Sequence, residues 1–234
     1  WKSDGNTATL VANLNTNTNA PNNFLPYNNP IVNLLDPGSY PTELTNVNGT
    51  LFFSARDSVT GGLWKTDGTA DGTIRLTDSG SVFGRAFGLT NVNGTLFFVA
   101  NHSTGYELWK SDGTASGTKM VADINPNGSA FSSDPSICHN HLCNINGILY
   151  FQANDGITGY ELWKSDGTPA GTTRISDIKP GNGSSSPTYL TNVSGKLFFA
   201  AFTNGYDQEL WITDGSVSGT QRVADIRPGG GGSF

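Results

Sequence analysis

The sequence predicts an all-β protein, a β-propeller of four-stranded antiparallel blades. Three observations predict this fold class. A tryptophan motif returns about every 50 residues, as in a repeat architecture. An Asn-Gly or Ser-Gly dipeptide joins two β-rich runs in every full copy, as in a tight hairpin. The strands are apolar on both faces, so each sheet must be covered on both sides.

The motif is the octapeptide ELWKSDGT, which occurs at 107–114 and again, unchanged, at 161–168. Near-copies are LWKTDGT at 63–69, ELWITDGS at 209–216 and WKSDG at 1–5. All five tryptophans of the chain belong to it: Trp1, Trp64, Trp109, Trp163 and Trp211. The distance between copies varies, but the residues of each copy are nearly the same. This indicates one structural unit per copy.

Each full copy contains four strand-like pieces. In the second copy these are LTNVNG at 89–94, TLFFVA at 95–100, the strand that carries Leu-Trp, and TKMVADI at 118–124. The second piece has three adjacent apolar residues, 96–98, whose side chains must point to both faces of the sheet. A sheet buried on both faces fits a propeller blade between two neighbours. A β-solenoid is the alternative, but its repeats are usually shorter and its strands parallel.

The predicted blades span 41–80, 86–125, 134–178 and 187–227, within one propeller domain over 1–234. Residues 1–14 match only the third and fourth strands and are predicted to form an outer half-blade. Its inner pair is expected after Phe234 in a longer parent chain, which would close a five-bladed ring. A larger ring, or strands donated by another chain, are the alternatives, since natural proteins avoid unpaired edges. Residues 15–40 are an irregular Asn- and Pro-rich excursion, expected to cap the ring or to contact a partner.

These motifs, together with LTNVNGTLFF and VADINP, resemble the bacterial ELWxxDGT repeat family. The resemblance covers nearly the whole chain apart from the excursion. It implies propeller-like repeats of large secreted or surface-associated bacterial proteins, and it carries over no catalytic residue. The chain departs from the motif at Gly62, where the family has Glu, at Ile212, where Lys is usual, and in a two-residue shortening after Gly5.

Composition narrows the classes of partner. The net charge is −6, from 13 basic and 19 acidic residues, which argues against nucleic acid or an anionic membrane as the main partner. No apolar run approaches the ~18–20 residues needed to span a bilayer. An Asn-, Thr-, Ser- and Gly-rich sequence with few lysines predicts an extracellular or cell-surface location. The expected partners are a glycan or a protein, and other blades or domains of a longer parent chain.

Two sets of motif residues have both a structural and a functional interpretation. The tryptophans are predicted to pack between blades, and a ring of sugar-binding platforms is the alternative. The aspartates before the turn glycine are predicted to accept hydrogen bonds from their own turn, and calcium binding is the alternative. These aspartates are Asp4, Asp67, Asp112, Asp166 and Asp214.

One rim of the ring is the predicted ligand site. The fourth strands end there, at Asp123, Asp177 and Asp225, and the loops that precede the third strands carry GY pairs. The ligand-binding candidates are therefore Asp123, Asp177, Asp225, Tyr106, Tyr160 and Tyr206. Calcium is a weaker possibility, with Asp123, Asp155 and Asp177 as candidate ligands, and no other cofactor is expected. Loop solvation and packing are the alternative explanation of this set.

The segment CHNHLC at 138–143 holds both cysteines of the chain. In an extracellular protein, a small-loop disulfide between Cys138 and Cys143 is predicted. Zinc binding and free thiols are the alternatives, and a zinc site is disfavoured because tetrahedral sites normally draw ligand pairs from separate segments.

No catalytic motif is present in the sequence. It contains no nucleophile elbow, no phosphate-binding glycine loop before a helix and no metal-type histidine pair. The chain is therefore predicted to be a non-enzymatic binding or interaction module that recognises a glycan or a protein through its rim loops. A purely structural repeat of a surface, sheath or adhesin protein is the alternative, and a secreted hydrolase is a weaker one.

Overall fold

The computed structural model describes residues 2–3, 5–14, 38–57, 60–77, 84–133, 142–203, 207–226 and 228. The predicted fold class is confirmed: these residues form strands in five antiparallel sheets, four of them four-stranded blades. Within these ranges, no helix is long and apolar enough to cross a membrane.

Every blade is a simple meander in which consecutive strands pair. The two-stranded sheet is β1 (Lys2–Ser3) and β2 (Ala8–Thr9). Blade 1 is β3 (Thr42–Val47), β4 (Thr50–Arg56), β5 (Gly61–Thr66) and β6 (Ile74–Arg75). Blade 2 is β7 (Phe87–Val92), β8 (Thr95–His102), β9 (Gly105–Ser111) and β10 (Lys119–Ala122). Blade 3 is β11 (Leu142–Ile145), β12 (Ile148–Asn154), β13 (Tyr160–Ser165) and β14 (Thr173–Ser176). Blade 4 is β15 (Thr188–Val193), β16 (Lys196–Phe202), β17 (Gln208–Thr213) and β18 (Gln221–Arg222).

The Asn-Gly dipeptides form the predicted hairpin turns between first and second strands. In blade 1, Asn48 has a φ of 51° and Gly49 a φ of 86°. Both central residues are therefore left-handed, as a two-residue type I′ loop requires. Ser194 and Gly195 adopt the same conformation in blade 4, with φ values of 52° and 83°.

The core lies between blades, where two kinds of face meet. We call the side toward the next blade the forward face; in blade 2 it includes Val92, Phe97, Leu108 and Val121, which cluster with blade 3. The opposite side is the backward face; in blade 2 it is formed by Leu96, Phe98, Ala100 and Trp109, which cluster with blade 1. Consecutive residues of the second strand point to opposite faces. In the motif, Leu likewise points to the forward face and Trp to the backward face.

The predicted packing of the tryptophans between blades is observed. Trp64 and Trp109 are buried. Trp163 and Trp211 are half-buried and pack against the cores of the blades that precede them.

First strands of consecutive blades adjoin, so the inner edges of the blades face one another. Strand β3 contacts β7, β7 contacts β11, and β11 contacts β15. Asparagine side chains connect these strands: Nδ2 of Asn91 donates to the carbonyl oxygen of Asn46 at 3.1 Å, and Nδ2 of Asn144 to that of Asn91 at 3.0 Å.

The two-stranded sheet has the same local pairing as the outer part of a blade. Lys2 pairs with Thr9 as Lys110 pairs with Lys119 in blade 2. Leu14, which follows it, packs against the backward face of blade 1 at Phe53 and Trp64. The segment that follows this sheet therefore contacts blade 1 from the side on which a preceding blade would lie.

Candidate functional site

The Asp-Gly-Thr part of the octapeptide is a closed hydrogen-bonded turn. In blade 2, Oδ1 of Asp112 accepts from the backbone N–H of Thr114 at 2.9 Å and from its hydroxyl at 2.7 Å. The Thr114 hydroxyl oxygen in turn accepts from the N–H of Gly117 at 2.9 Å. Hydrogen bonds from the Thr114 hydroxyl and N–H lower the pKa of Asp112. The same turn forms at Asp67, Asp166 and Asp214, as the structural interpretation of these aspartates requires; Asp4 lies outside the described residues.

The turn glycine and the motif lysine connect neighbouring blades. Gly167 of blade 3 has a φ of +88°, and a Cβ there would lie 2.9 Å from Cζ of Phe97 in blade 2. Nζ of Lys110, also in blade 2, donates to the carbonyl oxygen of Gly167 at 2.7 Å. Lys164 and Gly215 repeat this bond between blades 3 and 4 at 2.8 Å. The turn therefore docks on the preceding blade through one apolar and one polar contact.

The glutamate of the motif is fully buried, a feature that the sequence analysis did not identify. In blade 3, Oε1 of Glu161 accepts from the N–H of Ser185 at 2.9 Å, and Oε2 from the N–H of Ile178 at 3.1 Å and the Ser185 hydroxyl at 2.6 Å. Glu107 accepts in the same way from Ile124 at 3.0 Å and Ala130 at 3.2 Å. The carboxylate thus fastens the linker that leaves the fourth strand to the third strand of the same blade.

Blade 1 replaces this glutamate by Gly62 and fills the space differently. A Cβ on Gly62 would lie 2.9 Å from Nε of Arg75, which reaches across from β6. Arg75 donates to the carbonyl oxygens of Thr77 at 2.7 Å and Gly61 at 2.8 Å, and it pairs with Asp57. In blade 1 the Arg75 guanidinium donor therefore connects the end of the fourth strand to the third strand. In blades 2 and 3 the glutamate carboxylate makes this connection as an acceptor.

Stability should depend on pH through Glu107. Burial raises the pKa of this carboxyl from 4.5 to about 7, and the hydrogen bonds from Ile124 and Ala130 oppose the rise. The folded protein therefore binds this proton more tightly than the unfolded chain. The resulting stabilisation is complete below pH 4.5 and is lost as the pH rises through about 7. We expect the free energy of unfolding to fall by roughly 2 kcal/mol from this group between about pH 5 and 8.

Denaturant unfolding of the Glu107→Gln variant over that pH range measures the effect. Its stability should vary less with pH than that of the parent chain. Asp112→Asn is the matched control, because the pKa of Asp112 is lowered and its titration lies below this window. An unchanged pH slope in Glu107→Gln would contradict the assignment.

The three rim aspartates do not have equivalent surroundings. Asp177 pairs with Arg174 at 3.2 Å, and Asp225 pairs with Arg222 at 3.5 Å. In blade 2 the position of these arginines is occupied by Met120. Asp123 is exposed, and no ion pair of it is found among the described residues. Asp123 is therefore the rim carboxylate most available to a ligand.

The tyrosine candidates differ from the predicted repeated set. Tyr106 is half-buried, with its ring centroid 5.4 Å from that of Phe87. Tyr160 is half-buried, and its carbonyl oxygen accepts from the N–H of Ser186 at 3.0 Å. Tyr206 lies outside the described residues, and Gln208 occupies the strand position in blade 4 that Tyr160 has in blade 3.

Asp155, the remaining calcium candidate, closes its own loop. Its Oδ1 accepts from the N–H of Ile157 at 2.9 Å and of Thr158 at 2.8 Å, and from the Thr158 hydroxyl at 3.0 Å. Burial acts to raise the pKa of Asp155, but the hydrogen bonds from Thr158 and Ile157 outweigh it and lower the pKa.

Another carboxylate group in blade 4 has the residue types of a cation site. Asp207, Glu209 and Asp225 place one ligand oxygen each within 4.8 Å of one another. Arg222 lies 3.7 Å from Asp207 and 3.5 Å from Asp225, so its positive charge already offsets part of this negative charge.

A groove of about 520 Å³ lies between blades 2 and 3 and includes Asp123. One wall is strand β10 and the two residues that follow Ala122, Asp123 and Ile124, and the other is the outer part of blade 3. Its lining residues are Met120, Val121, Ala122, Asp123, Ile124, Trp163, Pro169 and Thr172. The indole Nε1 of Trp163 is buried and has no hydrogen-bond partner among the described residues. The groove thus combines an aromatic ring with an exposed carboxylate. The Met120 side chain packs against the core between blades 1 and 2.

Cys143 is half-buried in β11, and burial raises the pKa of its thiol. Cys138 lies outside the described residues, so the disulfide between the two stays a prediction. The excursion is described only from residue 38 onward.

No protein-family model matches the chain, and no curated protein matches its sequence. Among solved structures, a mutant of puromycin hydrolase complexed with PGG is 15% identical with a TM-score of 0.50, over 81% of this chain and 29% of that one. TolB from Acinetobacter baumannii is 14% identical with a TM-score of 0.42, over 71% and 38% of the two chains. An α-L-arabinofuranosidase from Clostridium thermocellum is 15% identical with a TM-score of 0.37, over 83% and 74%. The chain spans less than a third of the length of puromycin hydrolase, and the likeness shows a propeller-type fold alone.

Proposed function

We propose that this chain is an extracellular propeller module of the ELWxxDGT repeat type, which binds a glycan in the groove between blades 2 and 3. The observation that carries the proposal is the juxtaposition of Trp163 and Asp123 in one groove. A partly exposed aromatic ring offers an apolar face to a sugar ring, and a carboxylate accepts hydrogen bonds from sugar hydroxyls.

The groove is where the repeats differ. Arg174 and Arg222 neutralise the rim aspartates of blades 3 and 4, whereas Met120 leaves the carboxylate of Asp123 without such a partner. These differences support one site of this kind between blades 2 and 3, with the extracellular location supported by the Asn- and Thr-rich composition.

A structural surface repeat is the second candidate. Its support is that polar groups of the motif bond within the array: the turn aspartates, Lys110, Lys164 and the buried glutamates. The hydrolase alternative has less support. Glu107 and Glu161 have raised pKa values, as catalytic acids do, but both are fully buried and bonded to backbone N–H groups on both oxygens.

A glycan array followed by calorimetric titration of any hit tests the proposal. We expect Asp123→Ala to weaken binding by at least about tenfold, because it removes a hydrogen bond to a charged group. Met120→Arg should weaken it similarly, because it recreates the Arg–Asp pair of blade 3 beside the groove. Asp71→Ala, an exposed aspartate in the outer turn of blade 1, is the control and should bind like the parent chain. The absence of any glycan hit, or equal binding by Met120→Arg, would favour the structural candidate.

A further inference from the structure

The forward face of blade 4 is open, unlike the forward faces of the other blades. Val193 is 48% exposed, whereas its counterparts Val47, Val92 and Ile145 are 4–5% exposed. Val223 is 47% exposed, whereas Leu76, Val121 and Ile175 at the same position are 3–4% exposed. Ile226 is 59% exposed, against 8% for Ile124 and 9% for Ile178. Among the described residues, nothing covers this apolar surface.

The three internal interfaces define what such a face accepts. Each forward face is covered by the second strand of the next blade, through alternating leucine, aromatic and alanine side chains. On blade 2 these are Leu149, Phe151 and Ala153 of β12. On blade 3 they are Leu197, Phe199 and Ala201 of β16. The complementary element is therefore a strand with the pattern Leu-x-Phe-x-Ala, held in a hairpin by its first strand.

At one motif position on its forward face, blade 4 has an apolar residue where blades 2 and 3 have lysine, which suits a more apolar neighbour. In blades 2 and 3 the motif lysine donates to a turn carbonyl of the following blade, as Lys164 does to Gly215. Blade 4 has Ile212 at this position. The open face thus has no equivalent lysine donor.

A second copy of this chain does not offer a matching surface. Every backward face that carries the Leu-x-Phe-x-Ala pattern is already covered, by the preceding blade in blades 2 to 4 and by Leu14 in blade 1. Phe98, Phe151 and Phe199 are at most 1% exposed, and Phe53 is 6% exposed. Among the described residues, no backward face of this pattern remains free for a second molecule.

The pairing of the two-stranded sheet is consistent with the same kind of hairpin as a neighbour. Strand β1 corresponds to the third strand of a blade, and within the described ranges it pairs only with β2. In each full blade, the third strand also pairs with a second strand along its other edge. Gly5, which corresponds to the docking glycines, has a φ of +95° and no atom within 4 Å of a Cβ placed there.

We propose that the forward face of blade 4 binds a β-hairpin of the inner-strand type, with an Asn-Gly turn followed by a Leu-x-Phe-x-Ala strand. The hairpin lies against Val193, Val223 and Ile226, as β11 and β12 lie against blade 2. This surface is separate from the groove between blades 2 and 3, so the two proposals can fail independently.

A peptide with the sequence of residues 41–56, PTELTNVNGTLFFSAR, is the probe. Labelled at its N-terminus and titrated with the protein, it should show saturable binding by fluorescence anisotropy. Val223→Asp should weaken binding by at least about tenfold, because it places an unpaired charge under the hairpin. Val217→Asp is the matched control: Val217 is 70% exposed in the outer turn of the same blade, and its variant should bind like the parent chain.

A peptide with serine at the positions of Leu51 and Phe53, the backward-facing pair, should not bind. Sedimentation of the protein alone, with and without Val223→Asp, distinguishes a second copy as the occupant. The proposal is overturned if the peptide does not bind, if Val223→Asp and Val217→Asp bind it equally, or if Val223→Asp instead abolishes a dimer.

Discussion

Replacing Glu161 by alanine is expected to lower the free energy of unfolding by about 4 kcal/mol, since each buried polar group left without a partner costs about 1–3 kcal/mol. The carboxylate accepts from two backbone N–H groups and one hydroxyl, at Ile178 and Ser185. Ser185 is fully buried and Ile178 is 9% exposed, so water has little access to the groups that lose their acceptor. Denaturant unfolding measures the loss, and hydrogen exchange should show the amides of Ile178 and Ser185 exchanging faster.

Glu161→Gln is the graded control for this prediction. Its amide oxygen still accepts on one side, but its NH₂ group faces donors on the other, so we expect about half of the loss. Asp71→Ala, at an exposed position, should change stability by less than about 0.5 kcal/mol. If Glu161→Ala also changes the free energy of unfolding by less than about 0.5 kcal/mol, the position of the linker does not depend on the buried carboxylate.

Replacing Gly167 by alanine is expected to destabilise the protein by about 3 kcal/mol, from two separate causes. An L-residue at a φ of +88° is strained, and the added Cβ would lie 2.9 Å from Cζ of Phe97. Phe97 is 3% exposed and packed in the core between blades 2 and 3, so its ring has little room to move away. Thermal or denaturant unfolding gives the magnitude.

Gly5→Ala separates the two causes. Gly5 has a φ of +95° with nothing within 4 Å of a Cβ, so its variant should report backbone strain alone, about 1–2 kcal/mol. Adding Phe97→Leu to Gly167→Ala should restore part of the lost stability by making room at the contact. Equal losses for the two glycine variants would show that the contact between blades contributes nothing.

Local sequence chemistry was sufficient to predict the sheets and their turns. Asn48 and Gly49 adopt the left-handed pair expected of Asn-Gly, and Trp109 packs between blades as its place in an apolar strand predicted. Asp112 bonds to its own turn because its partner, Thr114, is two residues away. Such features depend on neighbours that are visible in the sequence.

The buried glutamates and the groove depend on residues that are distant along the chain. Glu107 accepts from Ile124, and the same separation of 17 residues recurs from Glu161 to Ile178 and from Glu209 to Ile226. That constant spacing was the available signal. The unpaired Asp123 follows from Met120 standing where the other blades have arginine, but its place in a groove with Trp163 requires the packing of blade 3 against blade 2.

Each repeated residue of the octapeptide contacts one particular blade. Its lysine reaches the following blade, its turn glycine rests on the preceding one, and its glutamate remains within its own blade. Copies that keep the lysine and the glycine therefore present the same two surfaces to their neighbours. A gene that gains or loses one whole copy would preserve the kind of junction already used between blades. Duplication or deletion can thus change the number of blades one at a time without requiring a new kind of interface.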